Sequence, residues 1–310
     1  MKVLASRRFP GPAFEELKDV ELLASALPEG LGGERRGVEA LAVVSETVDE
    51  RSLQLLPDLR LVANYGAGYD GVDVGACRRR GVVVTNTPGV LDAATADLAF
   101  GLILAVRRRI VEGDALVRAG KWQSGWAEGQ ILGEDVSGAV LGIVGLGRIG
   151  RAVARRARAF DMTILYTQRR RLPATEEHGL GVDYRPLDAL LAEADTVTLH
   201  VPVTDETRGF IDKRRLRLMR DGACLINTAR GQIVDEAALV EVVVEGRLRA
   251  GLDVFAHEPD VPAALLGLPN VVLTPHIGSA TLQTREAMTR VLVDNILAAE
   301  AGRALPNRVA

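Results

Sequence analysis

Short apolar runs recur along the chain, divided by stretches that are helical in spacing or rich in turn residues. Lys2–Ala5, Leu41–Val44, Leu59–Ala63 and Val82–Thr85 are four such runs, and their alternation with helical stretches predicts a small α/β domain with a parallel sheet. From Val140 the same pattern continues on a larger scale. Val140–Val144, Thr163–Tyr166, Thr196–Val201, Ala223–Asn227, Ala250–Phe255 and Val271–Thr274 read as buried strands, with helical segments such as Arg151–Phe160 and Glu236–Glu245 between them. Strands and helices in that alternation predict a doubly wound sheet. Asp92 to Gly120 predicts one long helix, capped by Asp92 or Thr95, with a leucine- and alanine-rich face wide enough for more than one neighbour. Thr281–Ala301 predicts a single helix that returns to the first domain. The chain carries no short internal repeat and no low-complexity tract.

One stretch organises the second half of this pattern. The β-branched run Val140–Val144 ends in Gly145-Leu146-Gly147-Arg148-Ile149-Gly150, after which Ile149, Val153, Ala157 and Phe160 recur at helical spacing. Strand, glycine turn and helix stand in the order that a dinucleotide site needs. Gly145 suits the tight turn, Gly147 lets backbone approach a pyrophosphate, and Gly150 lets the helix pack on the sheet. The start of the helix then offers its unpaired N–H groups to the phosphates. A G-x-G-x-x-G by itself says little in a chain with 32 glycines. Its strand-to-helix context is what distinguishes it from a glycine-rich turn without a ligand.

Composition acts mainly by exclusion. The 310 residues leave room for two domains, and 47% apolar with 25% charged residues is ordinary for a soluble globular protein. A net charge of -3 and a pI near 5.9 provide no basic surface for nucleic acid. The arginine runs at 78–80, 107–109 and 169–171 read as solvated helix and loop faces, the last with a second reading given below. Cys77 and Cys224 form neither a disulfide framework nor a zinc site, and no metal is expected. The opening residues lead into a short strand rather than a signal-peptide core, and the most apolar long segment, Ala93 to Val106, is interrupted by Asp97 and too short to span a bilayer. The expectation is a cytoplasmic protein with neither membrane nor nucleic acid as partner. Trp122 and Trp126 share one loop, which predicts an interface or a substrate wall.

In an open α/β sheet, ligands sit outside the carboxyl ends of the strands. Arg230 follows Ala223–Asn227, Asp253 lies in Ala250–Phe255 with Glu258 just past it, and His276 follows Val271–Thr274. An arginine can grip a carboxylate or polarise a carbonyl. A histidine can give or take a proton near neutral pH, and a carboxylate beside it favours its charged form. Singly, Arg230 could be a surface charge, Glu258 a loop residue and His276 a structural histidine. Together, beside a dinucleotide motif, they point to hydride transfer. His200 reads as structural, His257 as exposed, and His178 as part of a charged loop. In the first domain the loops at 64–70 and 85–89 are rich in glycine or turn residues, so their backbone N–H groups could hold an anion; ordinary tight turns account for the pattern equally well.

The chain resembles the D-isomer-specific 2-hydroxyacid dehydrogenases over essentially its whole length. The likeness is carried, in order, by NYGAGYDGVD, TNTPGVLDAATADLAFGLIL, VLGIVGLGRIG, LHVPVT, LINTARGQIVDEAAL, GLDVFAHEP and LTPHIGSAT. The resemblance implies an α/β fold of two Rossmann-like domains with doubly wound parallel sheets. The dinucleotide-binding domain, 96–282, would be inserted into a substrate domain made of 1–95 and 283–310 and closing over it by a hinge. It implies His276 as acid/base, Glu258 as its partner, and Arg230 as anchor of the substrate carboxylate and carbonyl. Backbone N–H groups of Ala67 and Gly68 would hold the carboxylate. Gly145, Gly147, Arg148, Ile149 and Gly150 would meet the cofactor at the turn, and Val201, Pro202, Thr228, Asp253, His276 and Gly278 at the other strand ends. A homodimer built on the long helix after Asp92 is implied too.

Within the family the chain looks most like glyoxylate/hydroxypyruvate reductases, partly through the stretch Phe160 to Arg170. The expected reaction is reduction of a small 2-oxo acid to the 2-hydroxy acid. Other family members, such as phosphoglycerate dehydrogenase, are an alternative, although no regulatory extension follows the last helix. So are corepressor-like proteins of the same fold, which keep the arginine, glutamate and histidine and use the dinucleotide as a ligand. About 20 residues past the glycines, an acid usually accepts from the adenosine ribose. Here the strand ends in Thr167-Gln168-Arg169-Arg170-Arg171 without a carboxylate. Arg169 or Arg170 could pair with a 2′-phosphate and Thr167 or Gln168 could donate to it, which favours NADPH and leaves NADH open.

Overall fold

The structure, a computed structural model, describes residues 1–44, 46–122 and 131–309. The chain divides into two compact units: Met1–Asp92 with Ser279–Ala310, and Ala93–Gly278 inserted between them in sequence. The boundaries fall a few residues before the expected 95/96 and 282/283.

The first unit is built on β1 (Val3–Ala5), β2 (Val20–Leu22), β3 (Ala40–Val43), β4 (Leu61–Asn64) and β5 (Val83–Thr85). They pair in parallel in the order β2-β1-β3-β4-β5. The edge strand β2 lies outside the expected set: with Glu21 at its centre and Leu22 half exposed, it has no buried apolar run to announce it. Leu41, Val43 and Val62 of the sheet pack with Leu53 of α1 (Glu50–Gln54) and Cys77 of α2 (Val74–Arg79). Asp49 and Asp73 cap those helices, each accepting from a backbone N–H of the first turn.

Among its described residues the second unit holds seven parallel strands: β6 (Val140–Val144), β7 (Thr163–Thr167), β8 (Asp183–Tyr184), β9 (Thr196–Leu199), β10 (Cys224–Asn227), β11 (Arg249–Leu252) and β12 (Val271–Leu273). Their order is β12-β11-β10-β9-β6-β7-β8, so the direction of growth reverses between β6 and β9. Strand alternation explains why these segments read as continuous apolar runs. Leu141 and Ile143 of β6 face one layer, with α3 (Asp92–Arg107) and α5 (Arg148–Arg158). Val144 and its neighbours face the other, with α7 (Leu187–Glu193), α8 (Lys213–Leu218) and α9 (Glu236–Val244). The two-residue edge strand β8 is hidden from the sequence, as β2 is, because it is too short to show a period.

Two expectations need correction. The helix from Asp92 to Gly120 is two helices, α3 and α4 (Ile110–Arg118), with Arg109 at φ 53 between them. The returning chain causes the break: Glu134 N–H donates to the Arg107 carbonyl at 2.8 Å, taking the acceptor that a continuing helix would use. Arg107 is also no solvated charge. It is buried, and its guanidinium donates to the Asp135 carbonyl at 2.7 and 3.1 Å. Trp122 is exposed, whereas Trp126 lies outside the described residues, so the two-tryptophan wall is not described. Among the described residues no helix is long and apolar enough to cross a membrane.

The last helix, α10 (Leu282–Glu300), belongs to the first unit and is capped by Thr281, whose hydroxyl accepts from Thr284 N–H. Tyr65, just past β4, donates its hydroxyl to the Arg285 carbonyl at 2.6 Å.

Candidate active site

The three glycines of the turn between β6 and α5 have different surroundings. Gly145 has φ 94, and a Cβ there would lie 2.5 Å from the His200 carbonyl oxygen. A Cβ on Gly150 would lie 2.2 Å from the Gly145 carbonyl oxygen, so the helix can approach the turn only with glycine at that position. A Cβ on Gly147 would meet nothing within 4 Å. The space over Gly147 is therefore open to a ligand, beside the first N–H groups of α5, whose N-cap has no side chain to satisfy them. Arg148 is exposed in that first turn, where the helix dipole disfavours a cation; an anion bound there would remove the conflict.

The loops past β10, β11 and β12 carry the reactive groups. After β10, Asn227 Oδ1 accepts from Ala229 N–H at 3.0 Å and its Nδ2 donates to the Arg230 carbonyl at 2.8 Å. Arg230 donates in turn to the Ala229 carbonyl at 2.7 Å. The next residue must be small, because a Cβ on Gly231 would lie 1.9 Å from the Phe255 carbonyl carbon. Asn227 and Gly231, which sequence reasoning passes over, thus fix where Arg230 starts. Thr228 is buried, and its hydroxyl has no hydrogen-bond partner among the described residues. An orphaned hydroxyl at this sheet edge awaits a partner from a ligand.

Asp253 lies just beyond β11 rather than within the strand, and its side chain is fully buried. Its carboxylate accepts from the Thr274 hydroxyl at 2.6 Å and from the N–H groups of Ile277 and Gly278, both at 2.8 Å. Burial pushes this carboxyl above its ordinary range, against the pull of those three donors. Asp253 is therefore the clasp of the loop that carries His276, a role its place in the sequence does not reveal. His276 sits at φ 53, and its N–H donates to the Asp253 carbonyl at 2.9 Å. A left-handed histidine is uncommon, and the clasp is what maintains it.

His276 Nδ1 lies 2.7 Å from Glu258 Oε2, and Glu258 Oε1 accepts from Phe255 N–H at 3.1 Å. Burial alone would raise the Glu258 carboxyl, but the hydrogen bond and charge of His276, the Phe255 amide and the charge of Arg230 together hold it below the ordinary carboxylate range. A carboxylate can only accept, so Nδ1 carries the proton toward Glu258 and Nε2 is left for a substrate. The other histidines stand apart from such a pair. Burial pushes the His200 ring down to about 4, with its Nε2 2.9 Å from the Thr198 hydroxyl. His257 is exposed, and His178 lies in α6 (Ala174–Leu180) rather than in a loop. Val201 and Pro202 follow β9 at the same edge of the sheet as these groups.

In the first unit, side chains occupy the carbonyls of the loop after β4. The Tyr65 carbonyl accepts from the Thr87 hydroxyl at 2.8 Å. Asn64 Nδ2 donates to the carbonyls of Gly66 and Gly68 at 2.8 and 2.9 Å, and Asn86 Nδ2 to that of Ala67 at 2.8 Å. With the three carbonyls engaged by side-chain amides, the N–H groups of Gly66, Ala67 and Gly68 have no acceptor among the described residues. Neighbouring N–H donors of this kind suit a carboxylate.

A polar cavity of about 430 Å³, lined by Arg107, Glu134, Asp195 and Arg220 among others, opens at the amino ends of the strands instead. Its charges are already paired, Arg107 with Glu134 and Arg220 with Asp195, and it lies away from the acid/base pair. Among the described residues no cluster could hold a metal ion. At the carboxyl edge, the open space at Gly147, the free helix start and the orphaned Thr228 hydroxyl fit a dinucleotide.

Comparison with known proteins agrees with this geometry. A family model described as D-isomer specific 2-hydroxyacid dehydrogenase, NAD binding domain, matches residues 100–278. The chain is 46% identical to a glyoxylate reductase of Thermococcus litoralis over 319 aligned positions, covering 99% of this chain and 96% of that protein. It is also similar to the crystal structure of an NADPH-dependent glyoxylate/hydroxypyruvate reductase from Sinorhizobium meliloti in complex with NADP and malonate. That likeness has a TM-score of 0.89 at 37% identity and covers 100% of this chain and 96% of the other. A D-lactate dehydrogenase from Aquifex aeolicus complexed with NAD and lactic acid matches with a TM-score of 0.87 at 28% identity, over 100% and 99% of the two chains.

Proposed function

This chain belongs to the D-isomer specific 2-hydroxyacid dehydrogenases, and on that premise we propose that it reduces glyoxylate and hydroxypyruvate with NADPH as the preferred reductant. It is an NAD(P)-dependent oxidoreductase acting on small 2-oxo acids, which sets aside the corepressor alternative. The observation that carries the reading is the hydrogen-bonded His276–Glu258 pair, with Arg230 charge acting on it, at the ligand edge of the dinucleotide unit.

The turn at Gly145 and Gly147, with the N–H groups of Arg148 and Ile149, holds the pyrophosphate. Val201, Pro202, Thr228, Gly278 and the loop clasped by Asp253 border the rest of the dinucleotide, which when bound supplies the hydride. The amides of Ala67 and Gly68 are proposed as donors to a substrate carboxylate in the first unit, and Arg230 as the anchor of carboxylate and carbonyl in the second. His276 Nε2 gives its proton to the carbonyl oxygen, and the Glu258 carboxylate stabilises the charged ring until it does so. Positioning and charge stabilisation supply much of the rate.

Glu258→Gln tests the pairing. Glu258 is held ionised below the usual carboxylate range, so its charge is present throughout the neutral region. Removing that charge takes away the support that Glu258 Oε2 gives the ring at 2.7 Å, so kcat for reduction should fall about tenfold while dinucleotide binding stays unchanged. An unchanged kcat would rule out electrostatic coupling between the two residues.

NADPH preference is supported by Arg169 and Arg170, which are exposed past β7, and by Gln168, whose Nε2 donates to the Arg170 carbonyl at 2.7 Å and closes the loop. The test is kcat/KM for a panel of 2-oxo acids with NADPH and NADH, in the wild type and in Arg169→Ala. NADPH should be preferred, and the substitution should cut the preference about tenfold through loss of one charge-assisted contact. A wild-type preference for NADH that the substitution leaves unchanged would sink the idea. The proposal includes a cytoplasmic homodimer: α4 buries none of its residues, and Ile110, Val111 and Val117 on it are exposed together with Trp122. Sedimentation equilibrium would report a monomer if that is wrong.

A further inference from the structure

Three consecutive arginines follow β7, and the structure treats them differently. Arg171 forms a two-pronged ion pair with Glu177 of α6, Nε to Oε1 at 2.8 Å and the second prong to Oε2 at 2.9 Å. Glu177 is buried, and its Oε1 also accepts from the Tyr166 hydroxyl at 2.7 Å. The Tyr166 oxygen in turn accepts from Leu172 N–H at 2.8 Å. The Arg171 guanidinium lies over the Tyr184 ring, 5.3 Å from its centroid. The loop is therefore tied down where it leaves β7 and again where it ends. Between the ties Arg169 and Arg170 are exposed, and neither forms an ion pair among the described residues; Glu206 is the charged neighbour of Arg169.

We propose that Glu177 is a specificity-determining positioning residue: by clamping Arg171 and Tyr166 it holds the loop in one conformation and leaves Arg169 and Arg170, not Arg171, to read the adenosine 2′-phosphate. The inference rests on the NADPH preference argued above. An arginine whose two prongs already meet a carboxylate has no bidentate face left for a phosphate, and a phosphate brought to Arg171 would face the charge of Glu177. Arg169 and Arg170 keep their charge for a dianion. A loop held in advance also loses less freedom on binding. The hydrogen bonds from Arg171 and Tyr166 hold the Glu177 carboxyl down at about 2, so the clamp persists across any working pH. The carboxylate that sequence reasoning does not find near this loop is thus present, brought from α6, but it is occupied and cannot accept from a ribose.

The test compares binding of adenosine 2′,5′-bisphosphate and 5′-AMP by calorimetry, with no turnover needed, alongside kcat/KM for both cofactors. The proteins are the wild type, Glu177→Gln and Arg171→Met, each checked for an intact thermal transition. The clamp predicts that both substitutions weaken the bisphosphate about tenfold, leave 5′-AMP unchanged, and lower the NADPH-to-NADH ratio without changing kcat. Opposite signs, tighter binding in Glu177→Gln and weaker in Arg171→Met, would mean that Arg171 itself is the phosphate ligand and overturn the proposal. Equal weakening of bisphosphate and 5′-AMP would reduce Glu177 to a structural residue and overturn it as well. If the wild type binds the two ligands alike, the NADPH preference fails first and the clamp with it; if the wild type discriminates and neither substitution matters, the clamp alone fails.

Discussion

Replacement of His276 by asparagine or alanine should lower kcat for 2-oxo acid reduction by about 10²- to 10⁴-fold and change dinucleotide affinity by no more than about threefold. The expectation follows from where the ring is held. Nδ1 is committed to Glu258 at 2.7 Å, so Nε2 is the one nitrogen that can protonate a substrate oxygen. The loop itself is held by Asp253 through the hydroxyl of Thr274 and the N–H groups of Ile277 and Gly278, none of which involves the ring. The backbone should therefore survive the substitution. The two variants separate chemistry from strain. Alanine at φ 53 adds backbone strain, whereas asparagine tolerates that conformation and has no acid of suitable pKa. If strain were responsible, asparagine would restore activity; a loss shared by both variants identifies the proton donor. Near-wild-type kcat in the asparagine variant would remove His276 from the mechanism.

Arg230→Lys should reduce kcat/KM for glyoxylate by about 10- to 100-fold, although the charge is kept. The guanidinium already donates to the Ala229 carbonyl at 2.7 Å, and the backbone on either side is fixed by Asn227 and by the tight approach of Gly231 to Phe255. A planar fork can hold that carbonyl and still present donors to a carboxylate and a carbonyl oxygen. A lysine ammonium is a single point on a flexible stem and cannot do both in fixed geometry. The loss should appear mainly with substrate and with oxamate, a non-reacting mimic, and not with dinucleotide binding. Unchanged kcat/KM and oxamate affinity would show that the substrate is anchored by other groups.

These two residues are legible in the sequence because their positions are local to strand ends. His276 and Arg230 follow apolar runs that the burial pattern marks, and the glycine turn is written in consecutive residues. Glu258 is legible in the same way, and the structure adds only that it reaches Nδ1. The exposed arginines past β7 are also visible, but not which of them is engaged. Arg171 is bound by a residue of the following helix, and nothing in the spacing of Arg171 and Glu177 separates an ion pair from two solvated charges. The short strands β2 and β8 are hidden for a related reason: at the edge of a sheet, with polar or half-exposed residues, they are made by pairing with a neighbour.

What the chain determines by itself is what depends on near neighbours in sequence. Periodic apolar positions select strand or helix, glycine permits the turn at Gly145, and polar groups placed just after strands meet at one edge once the strands are parallel. Tertiary structure decides whatever depends on ångström-scale meeting of distant segments. It ends α3 at Arg107 because residues 133–135 cross there, and buries that arginine. It turns Asp253 into the clasp of the His276 loop, and ties the carbonyls of Gly66, Ala67 and Gly68 to the side chains of Asn64 and Asn86. Charge and hydrogen-bond pairing is short-ranged and directional, so its outcome is set by final geometry, whereas burial is averaged over many positions and leaves its period in the sequence.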